Sequence, residues 1–303
     1  MNKIALTIDV EDWYHTPLVT GSSFSRFDSV EEFFSSWEKR YDYISQPLVE
    51  LLQILSEFKV KATFFVVADI IDNYPGLIEM IVQNDHESAC HGLHHEMIVD
   101  ENGNPKFQKS EFIDILIDAK TKLEKLAGRP VTGYRAPSAY IRGWMLDVLE
   151  DIGFTYDSSV AINSLYSKVG IRPNSVTTSP YYPKINSLDK GTTPRRLLEM
   201  PWPYFNALSF KFPTGGGPFL RYGGGRYISL GLEQSLRRGD TVFYFHPLDL
   251  SKETFPINTA SKRPFYWFGK GNRTLNSVRY LLTKYSRKNL LTTCSEIRER
   301  WKD

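Results

Sequence analysis

Apolar residues follow two spacings along the chain, and the two spacings alternate. Short runs of buried-type residues indicate strands, whereas apolar positions three and four residues apart indicate amphipathic helices. The runs that predict strands are residues 3–9, 61–68, 86–91, 131–135, 154–158, 197–200, 241–246 and 289–293. The helical spacing predicts helices over residues 45–58, 75–83, 112–126, 144–152, 227–237 and 275–285.

This alternation is typical of an α/β fold with a parallel sheet. About seven strands alternating with helices favour a distorted, incomplete (β/α)7 barrel. We expect a single domain over residues 1–303, because the sequence contains no linker or internal repeat. Two segments interrupt the pattern. Residues 160–195 lose their periodicity and predict an irregular insertion, and residues 213–226 predict a Gly-rich loop.

Composition and charge narrow the function classes. The 303 residues include 41% hydrophobic residues, enough for a sizeable core, and the net charge is only +2. That balance argues against a nucleic-acid partner, which requires a basic surface. No apolar run approaches the roughly 20 residues of a spanning helix, and no leader pattern precedes the first strand. From the absence of such a run we expect no transmembrane segment. Cys90 and Cys294 form no closely spaced pair, and we therefore expect a cytoplasmic protein.

Three carboxylates stand together where the first predicted strand ends. Asp9, Glu11 and Asp12 lie within four residues of one another. A single acid here would most simply cap a turn. Three acids repel one another unless a cation or a shared proton relieves them. The cluster therefore indicates a cation or proton-sharing site at this strand end.

All six histidines fall in three short segments, which begin at the carboxyl ends of predicted strands. His91 and His95 are four residues apart and predict two imidazoles on one side of a helical turn. Together with an acid from the first strand, the pair supplies the two nitrogens and one oxygen of a catalytic zinc-like site. Zinc is the ion we expect, and cobalt and nickel suit the same ligands.

Two further side chains end predicted strands. His246 follows an apolar strand, and on its own it would most simply be a structural histidine. Arg135 follows another strand and points its charge towards the acids, although an ordinary surface ion pair would also explain it.

Taken in order, these motifs resemble the polysaccharide deacetylases of the NodB-homology group, also called carbohydrate esterase family four. The order of the motifs carries the resemblance, which extends over residues 3–250. The counterparts of the family's motifs are residues 9–12, His91 with His95, residues 135–137, the segment 157–202, and His246. The first motif, Asp-x-Glu-Asp, is similar to that of one subgroup. The resemblance implies a distorted (β/α)7 barrel of the NodB-homology type.

The resemblance also implies roles for individual residues. Asp9 would be the general base, and Arg135 would hold its carboxylate. His91 and His95 would be metal ligands, and His246 would be the general acid. The backbone N–H of Ser138 would join the metal in stabilising the tetrahedral oxyanion.

Two assignments have alternatives, and one position departs from the family's motif. The third metal ligand is Glu11 or Asp12. The aromatic residue that usually follows the Arg-x-Pro motif is replaced by Ser138, which puts sugar stacking at that position in doubt. The carboxylate that orients His246 is one of three: Asp157, Glu199 or Asp249.

The substrate implied is an N-acetylated saccharide of a bacterial surface polysaccharide or of its lipid-linked precursor. Candidate sugar contacts are Trp13, Tyr14, Pro137, Trp202 and Tyr204, and for the aromatic residues core packing is an equally good explanation. Two other functions fit the same motifs: a related C–N hydrolase, such as an allantoinase-like enzyme or a sugar deformylase, and a carbohydrate-binding protein without turnover.

Overall fold

A curled parallel sheet organises the molecule. The computed structural model describes residues 1–16, 19–20, 25–36, 42–100, 103–162, 177–208, 210–253 and 269–301. Within these residues the strands are β1 Ile4–Val10, β2 Thr63–Val66, β3 Glu87–Cys90, β4 Gly133–Tyr134, β5 Tyr156–Asp157, β6 Leu198–Glu199, β7 Tyr204–Ala207, β8 Phe210–Pro213, β9 Thr241–Phe245 and β10 Leu291–Thr292. The helices are α1 Val30–Ser35, α2 Ser45–Glu57, α3 Ile70–Asn73, α4 Leu77–Gln83, α5 Lys109–Ala127, α6 Gly143–Asp151, α7 Gly217–Leu236, α8 Pro247–Leu250, α9 Asn272–Ser286 and α10 Cys294–Arg300.

Strand β1 lies at the centre of the sheet. From β1 the order on one side is β2, β3, β4, β5 and β6, and β9 pairs along the other side. The short β10 pairs with β1 at Ile4 and Ala5. Strand β2 pairs with β1 further along, from Thr7 onwards. Every pairing in this sheet is parallel, so the carboxyl ends of its strands meet at one edge. The predicted distorted (β/α)7 barrel in a single domain is confirmed as a half-barrel.

Side chains alternate between the two faces of β1. Ile4, Leu6 and Ile8 pack into the large apolar cluster between the sheet and the surrounding helices. Ala5 faces inwards, into a smaller cluster with Phe65, Ala89, Tyr156, Leu198 and Val242. Thr7 and Asp9 have the same parity as Ala5. The pleat therefore turns Asp9 towards the inner face at the carboxyl end of the strand.

The segment predicted as a Gly-rich loop is largely helical. Helix α7 begins at Gly217 and is kinked at Gly224, where φ is 71°. Two glycines are required by close approaches, because a Cβ on Gly225 would lie 2.9 Å from the carbonyl oxygen of Ser277 on α9, and one on Gly217 would lie 2.2 Å from Asp249 Oδ2. Tertiary packing has thus overridden the low helix propensity of glycine, and the loop prediction is wrong.

The remaining predictions have mixed outcomes. Gly128 ends α5 in the left-handed conformation (φ 64°), as expected of a C-terminal cap. The antiparallel hairpin β7–β8 was not predicted from the sequence. Residues 163–176, most of the first half of the predicted insertion, lie outside the described residues, and residues 177–195 make only isolated bridges such as Pro183 with Lys190. Among the described helices, none combines the length and apolarity needed to cross a bilayer.

Candidate active site

Three ligand-type side chains converge at the carboxyl edge of the sheet. Glu11 follows β1, and His91 and His95 follow β3. The Nε2 of His95 lies 2.7 Å from Glu11 Oε2, and the Nε2 of His91 lies 3.8 Å from the same oxygen. One donor atom from each residue lies within 4.8 Å of the other two, and all three residues are buried. Two imidazoles and one carboxylate form a donor set that suits a zinc-like ion and leaves positions open for water and substrate.

The hydrogen bond of Nδ1 determines which ring nitrogen of His91 carries a proton. Nδ1 lies 2.8 Å from the carbonyl oxygen of Arg135, which can only accept, so Nδ1–H donates and Nε2 carries the lone pair. Burial lowers the pKa of His91 to about 4, although the charge of Asp9 acts in the opposite direction. His91 is therefore neutral near pH 7, as metal ligation requires.

The carboxylate of Glu11 is stabilised by the histidines around it. Burial alone would raise the pKa of this carboxyl, but the charge and hydrogen bond of His95, and then the charge of His246, hold the pKa well below its usual range. Glu11 is thus an anion at the centre of three imidazoles. A buried anion that faces nitrogen donors is what a cation site needs.

Asp12, the other candidate ligand, has a structural role and does not join this group. Its Oδ1 accepts the backbone N–H of Trp13 (2.6 Å), and its Oδ2 accepts the hydroxyl of Tyr74 (2.6 Å). Asp12 caps a 3-10 turn at residues 13–15 and is fully buried. Of the two alternatives left open by the sequence, Glu11 is the carboxylate that lies with the two histidines.

The two histidines of the His-x-x-x-His motif meet through a loop, and the predicted helical turn between them is wrong. Gly92 and His95 both have positive φ angles, 86° and 61°, which an α-helix does not contain. A non-glycine residue in the left-handed region carries strain of about 1–2 kcal/mol. Strain of this kind concentrates at functional sites.

Asp9 and Arg135 form a buried ion pair beside the ligand group. Arg135 Nη1 lies 2.6 Å from Asp9 Oδ1 and also donates to Thr7 Oγ1 at 2.9 Å. The other side of the guanidinium donates to Ser158, from Nε to its carbonyl and from Nη2 to its hydroxyl, both at 2.9 Å. The guanidinium also lies 4.1 Å from the ring centre of Phe65. These contacts leave Asp9 a single orientation.

A second oriented pair lies across the site. The Nε2 of His246 lies 3.5 Å from Glu11 Oε1, and its Nδ1 lies 2.9 Å from Asp249 Oδ2. Burial alone would lower the pKa of His246, but the charge and hydrogen bond of Asp249, together with Glu11 and Asp9, raise it to about 9. Of the three candidate carboxylates, Asp249 is the one that contacts His246.

Arg221 stands behind Asp249 and was missed from the sequence. Its Nε lies 3.2 Å from Asp249 Oδ1, and the residue is buried on the second turn of α7. Burial opposes ionisation of Asp249, but Arg221 and then His246 lower the pKa of this carboxyl overall. The Gly-rich composition around Arg221 predicted a loop, so no periodicity signalled a buried arginine there.

The other two acids, Asp157 and Glu199, form a buried pair on neighbouring strands. They are register partners on β5 and β6, and both are fully buried. Burial first, and then the charge of Asp157, raise the pKa of Glu199 well above its usual range, so Glu199 carries a proton. Asp157 accepts the hydroxyl of Ser159, which in turn accepts the backbone N–H of Ala136. The pair therefore supports the loop that follows Arg135.

That loop contains a tight turn at the site. Residues Pro137–Ala139 form a 3-10 turn in which Ser138 and Ala139 have φ angles of 54° and 59°. Pro137 is buried beside Gly92, where an added Cβ would lie 3.2 Å from its Cγ. Ser138 is half-buried, so its role as an oxyanion donor stays a prediction.

The aromatic candidates are mostly core residues. Trp13 is completely buried in the main apolar cluster, so the prediction that it stacks on a sugar is wrong. Trp202 donates from its indole nitrogen to the Ser158 carbonyl and packs on Tyr244, with ring centres 4.2 Å apart. Tyr204 is likewise buried. Tyr14 is the one of these four that borders a groove next to His95.

This groove reaches the ligand group at His95. It has a volume of about 630 Å³, and its lining includes Tyr14, Asp28, Glu31, His94, His95 and Phe107. The bordering position of Tyr14 keeps it as a predicted substrate contact.

The remaining histidines have structural partners. Asp69 lies between His15 and His94, 2.8 Å from the Nε2 of the former and 2.9 Å from the Nδ1 of the latter. His86 precedes β3, at the opposite edge of the sheet, and its Nδ1 accepts the backbone N–H of Ala62. The clustering of histidines in sequence therefore overstated how many belong to the site.

Comparison with known proteins identifies the class of domain. The family model described as "Polysaccharide deacetylase" matches residues 38–156, and one described as "Domain of unknown function (DUF3473)" matches residues 167–293. Residues 38–156 are therefore similar to a polysaccharide deacetylase domain, which agrees with the resemblance seen in the motifs. Hydrolases of this family act on amide C–N bonds, which agrees with the class of enzyme expected from the sequence.

Individual relatives cover part of the chain. A peptidoglycan deacetylase of Helicobacter pylori is 29% identical over 124 residues, which are 40% of this chain and 40% of that protein. A peptidoglycan-N-acetylglucosamine deacetylase of Bacillus cereus is 23% identical over 105 residues, 35% of this chain and 46% of that protein. The chain thus spans less than half the length of these curated relatives.

Solved structures extend the likeness to the whole fold. A polysaccharide deacetylase candidate from Mycobacterium smegmatis superposes with a TM-score of 0.60 at 22% identity, over 99% of this chain and 91% of that one. Puue allantoinase gives the same TM-score at 14% identity, over 98% and 89% of the two chains. At these identities the comparison concerns the fold alone.

Each of the two family matches contains part of the candidate site, and Asp9 and Glu11 lie ahead of both. His91, His95 and Arg135 lie in the deacetylase match, whereas Arg221, His246 and Asp249 lie in the match of unknown function. The latter also contributes β6, β9 and β10 to the common sheet. It therefore completes the half-barrel rather than forming a second domain.

Proposed function

We propose that this protein is a metal-dependent N-deacetylase that acts on N-acetylated amino sugars of a surface polysaccharide or of its lipid-linked precursor. The observation that carries the proposal is the convergence of Glu11, His91 and His95 beside two oppositely placed, buried pairs, Asp9 with Arg135 and His246 with Asp249. The family match over residues 38–156 supports the same chemistry.

Glu11, His91 and His95 would hold the metal ion, and zinc is the ion that we propose, with cobalt or nickel able to use the same donors. The lone pair of His91 Nε2 is available because Nδ1–H is committed to the Arg135 carbonyl. When bound, such an ion polarises the acetamide carbonyl and acidifies water. Asp12 would contribute only by fixing the turn that follows Glu11.

The protein's own side chains would then move the protons. Asp9, oriented by Arg135, takes a proton from the attacking water as the general base. His246 directs Nε2 towards the ligand group and is held protonated by Asp249, so it protonates the leaving amine as the general acid. The backbone N–H of Ser138 would stabilise the oxyanion that develops on the acetamide.

The test is acetate release from defined substrates. Metal-loaded protein is incubated with N-acetylated chitooligosaccharides, with a lipid-linked N-acetylated glycan, and with allantoin. Mass spectrometry then detects loss of an acetyl unit from the saccharides or addition of water to allantoin. We expect deacetylated saccharide from the wild-type protein and none after chelation or in the His95→Ala variant. Hydrolysis of allantoin alone would replace the proposal with the related hydrolase, and saccharide binding without any product would replace it with a binding protein.

A further inference from the structure

The hairpin β7–β8 is oriented with its apolar face outwards. Its register pairs Phe205 with Phe212 and Ala207 with Phe210, which places these four side chains on one face. Phe210 is 67% exposed, and Phe212 is 43% exposed. Leu208, at the turn, is 96% exposed and adopts a φ of 54°, in the left-handed region that leucine rarely occupies.

On the opposite face of the same hairpin, Tyr204 is buried, whereas the side chains of Asn206 and Lys211 are exposed. Asn206 exchanges two hydrogen bonds with Gln234 of α7, at 2.8 and 2.9 Å. The side chains of Lys211 and Arg238 both lie over the ring of Tyr204, at 4.9 and 5.1 Å from its centre. A hairpin normally buries its apolar face and exposes its polar face. Leu208, Phe210 and Phe212 depart from this rule and form an apolar surface that is exposed in the described part of the chain.

We propose that this hairpin docks the protein on an anionic lipid bilayer. Leucine and phenylalanine side chains at the tip of a protrusion enter the boundary between headgroups and acyl chains, where apolar burial is favourable. Basic residues beside them favour anionic headgroups. Lys211 is the only charged residue among residues 204–213. Arg237 and Arg238 directly follow the last residue of α7, and both are exposed. The charges and the apolar tip are therefore complementary to one kind of surface.

The size of the hairpin favours a bilayer over a second protein. Two paired strands of four residues measure about 13 by 10 Å, a footprint of about 130 Å². A stable protein interface covers roughly 800 Å² on each partner. A few protruding apolar side chains are too little for such an interface, whereas shallow insertion into lipid needs only a few of them.

The hairpin is also joined to the candidate active site at both ends. Trp202, just before β7, packs on Tyr244, and Gly216, just after β8, approaches the Tyr244 hydroxyl so closely that a Cβ there would lie 2.1 Å from it. Tyr244 in turn contacts His246 edge to face, with ring centres 5.6 Å apart. A docked hairpin would therefore hold the site near the bilayer surface. This last step rests on the proposed function and would give the enzyme access to glycans carried on lipids.

Vesicle sedimentation of the full chain tests the docking surface. We expect the wild-type protein to sediment with vesicles of phosphatidylcholine and phosphatidylglycerol, and binding to weaken by about tenfold or more in Lys211→Glu and in Leu208→Asn/Phe210→Ser. Asparagine tolerates a positive φ, so the double variant should fold, which thermal melting verifies independently of activity. Ile117→Ser, a change at an exposed apolar residue of α5, is the matched control and should bind like the wild type.

A fluorescent probe locates the contact. Both native cysteines are fully buried, and burial raises the pKa of Cys90 to about 12, so a thiol-reactive, environment-sensitive dye can be placed selectively at Leu208→Cys or at Ile117→Cys. Addition of the anionic vesicles should shift the emission to the blue only for the first. Absence of vesicle binding by the wild type, equal binding by the hairpin double variant, or hairpin-dependent dimers in place of vesicle binding would overturn the proposal. Acetate release from a soluble saccharide by the hairpin variants keeps a failure of docking separate from a failure of the proposed function.

Discussion

A single oxygen of Asp249 fixes both the ring and the backbone of His246. Oδ2 lies 2.9 Å from Nδ1 of the imidazole and 2.9 Å from the backbone nitrogen of the same residue. Because Nδ1–H is held in this way, Nε2 is the nitrogen that faces Glu11. The pair therefore determines which ring nitrogen is available for proton transfer.

Replacement of that carboxylate should slow turnover without abolishing substrate binding. In Asp249→Asn the negative charge that stabilises the imidazolium is lost while the size of the side chain is retained. We expect kcat to fall about 10- to 100-fold with little change in KM, measured by acetate release. Asp12→Asn, which removes a buried carboxylate outside the ligand group, is the control. An unchanged kcat in Asp249→Asn would remove this pair from the mechanism.

Arg221 should act on turnover through Asp249. Its guanidinium lies against the oxygen of Asp249 that does not contact His246, so Arg221→Met removes the positive charge that keeps the carboxylate in place. We expect a decrease in kcat of about tenfold at unchanged KM, with partial recovery in Arg221→Lys because lysine restores the charge but not the planar fork. Arg195→Met, which breaks an ion pair with Asp147 away from the site, should leave kcat unaffected. If both variants lowered kcat equally, general destabilisation would explain the effect.

Metal content should separate Glu11 from Asp12. Glu11 lies with the two histidine nitrogens, whereas Asp12 accepts hydrogen bonds from Trp13 and Tyr74. Glu11→Gln and His95→Ala should therefore lower zinc affinity by at least about 100-fold, as loss of one of three ligands implies. Asp12→Asn should bind zinc like the wild type. Equilibrium dialysis followed by elemental analysis measures each case, and retention of zinc by Glu11→Gln would contradict the ligand assignment.

Asp9→Asn should retain the metal and lose turnover. Asp9 is held by Arg135 and is not among the three residues whose donor atoms converge. Without a carboxylate to accept the proton, we expect kcat to fall by at least about 100-fold, the usual contribution of a general base. Zinc binding, measured by the same dialysis, should stay within error of the wild type. A fully active Asp9→Asn would show that another group takes the proton.

The sequence predicted the sheet and the motifs because both depend on local patterns. Apolar runs identified every strand of the half-barrel to within a few residues, and parallel strands necessarily bring their carboxyl ends to one edge. That rule alone placed Asp9, His91 and His246 near one another. The choice between Glu11 and Asp12 depended on the alternation of β1 and on the distant Tyr74, which local spacing does not contain.

Features that depend on packing were out of reach. Helix α7 forms in a Gly-rich segment because glycines let it approach Asp249 and α9, so composition predicted the opposite of what packing produces. Arg221 was missed for the same reason. His86 falls in the same short sequence segment as His91, although four residues of extended β3 place it at the other edge of the sheet.

That position gives His86 a role in stability that depends on pH. Burial first, and then the positive charges of Lys61 and Arg129 against the opposing charge of Asp85, lower its pKa from 6.5 to about 4. Between these two values the unfolded chain binds a proton that the folded chain excludes. The contribution of His86 to the free energy of unfolding should therefore be complete above pH 6.5 and should decrease as the pH falls towards 4. Allowing for solvent near the ring, we expect a loss on the order of 1–2 kcal/mol from this residue.

His86→Gln isolates this contribution. Glutamine retains an acceptor for the Ala62 N–H but does not titrate, so the variant should be less stable than the wild type at pH 7.5 and should lose less stability on acidification. His91, whose pKa is also lowered to about 4, titrates in both proteins and cancels in the difference. Urea unfolding of both proteins at a series of pH values from 4 to 7.5 measures the two slopes. Parallel curves over that range would show that His86 is not protonated on unfolding and would contradict its assignment as a buried neutral histidine.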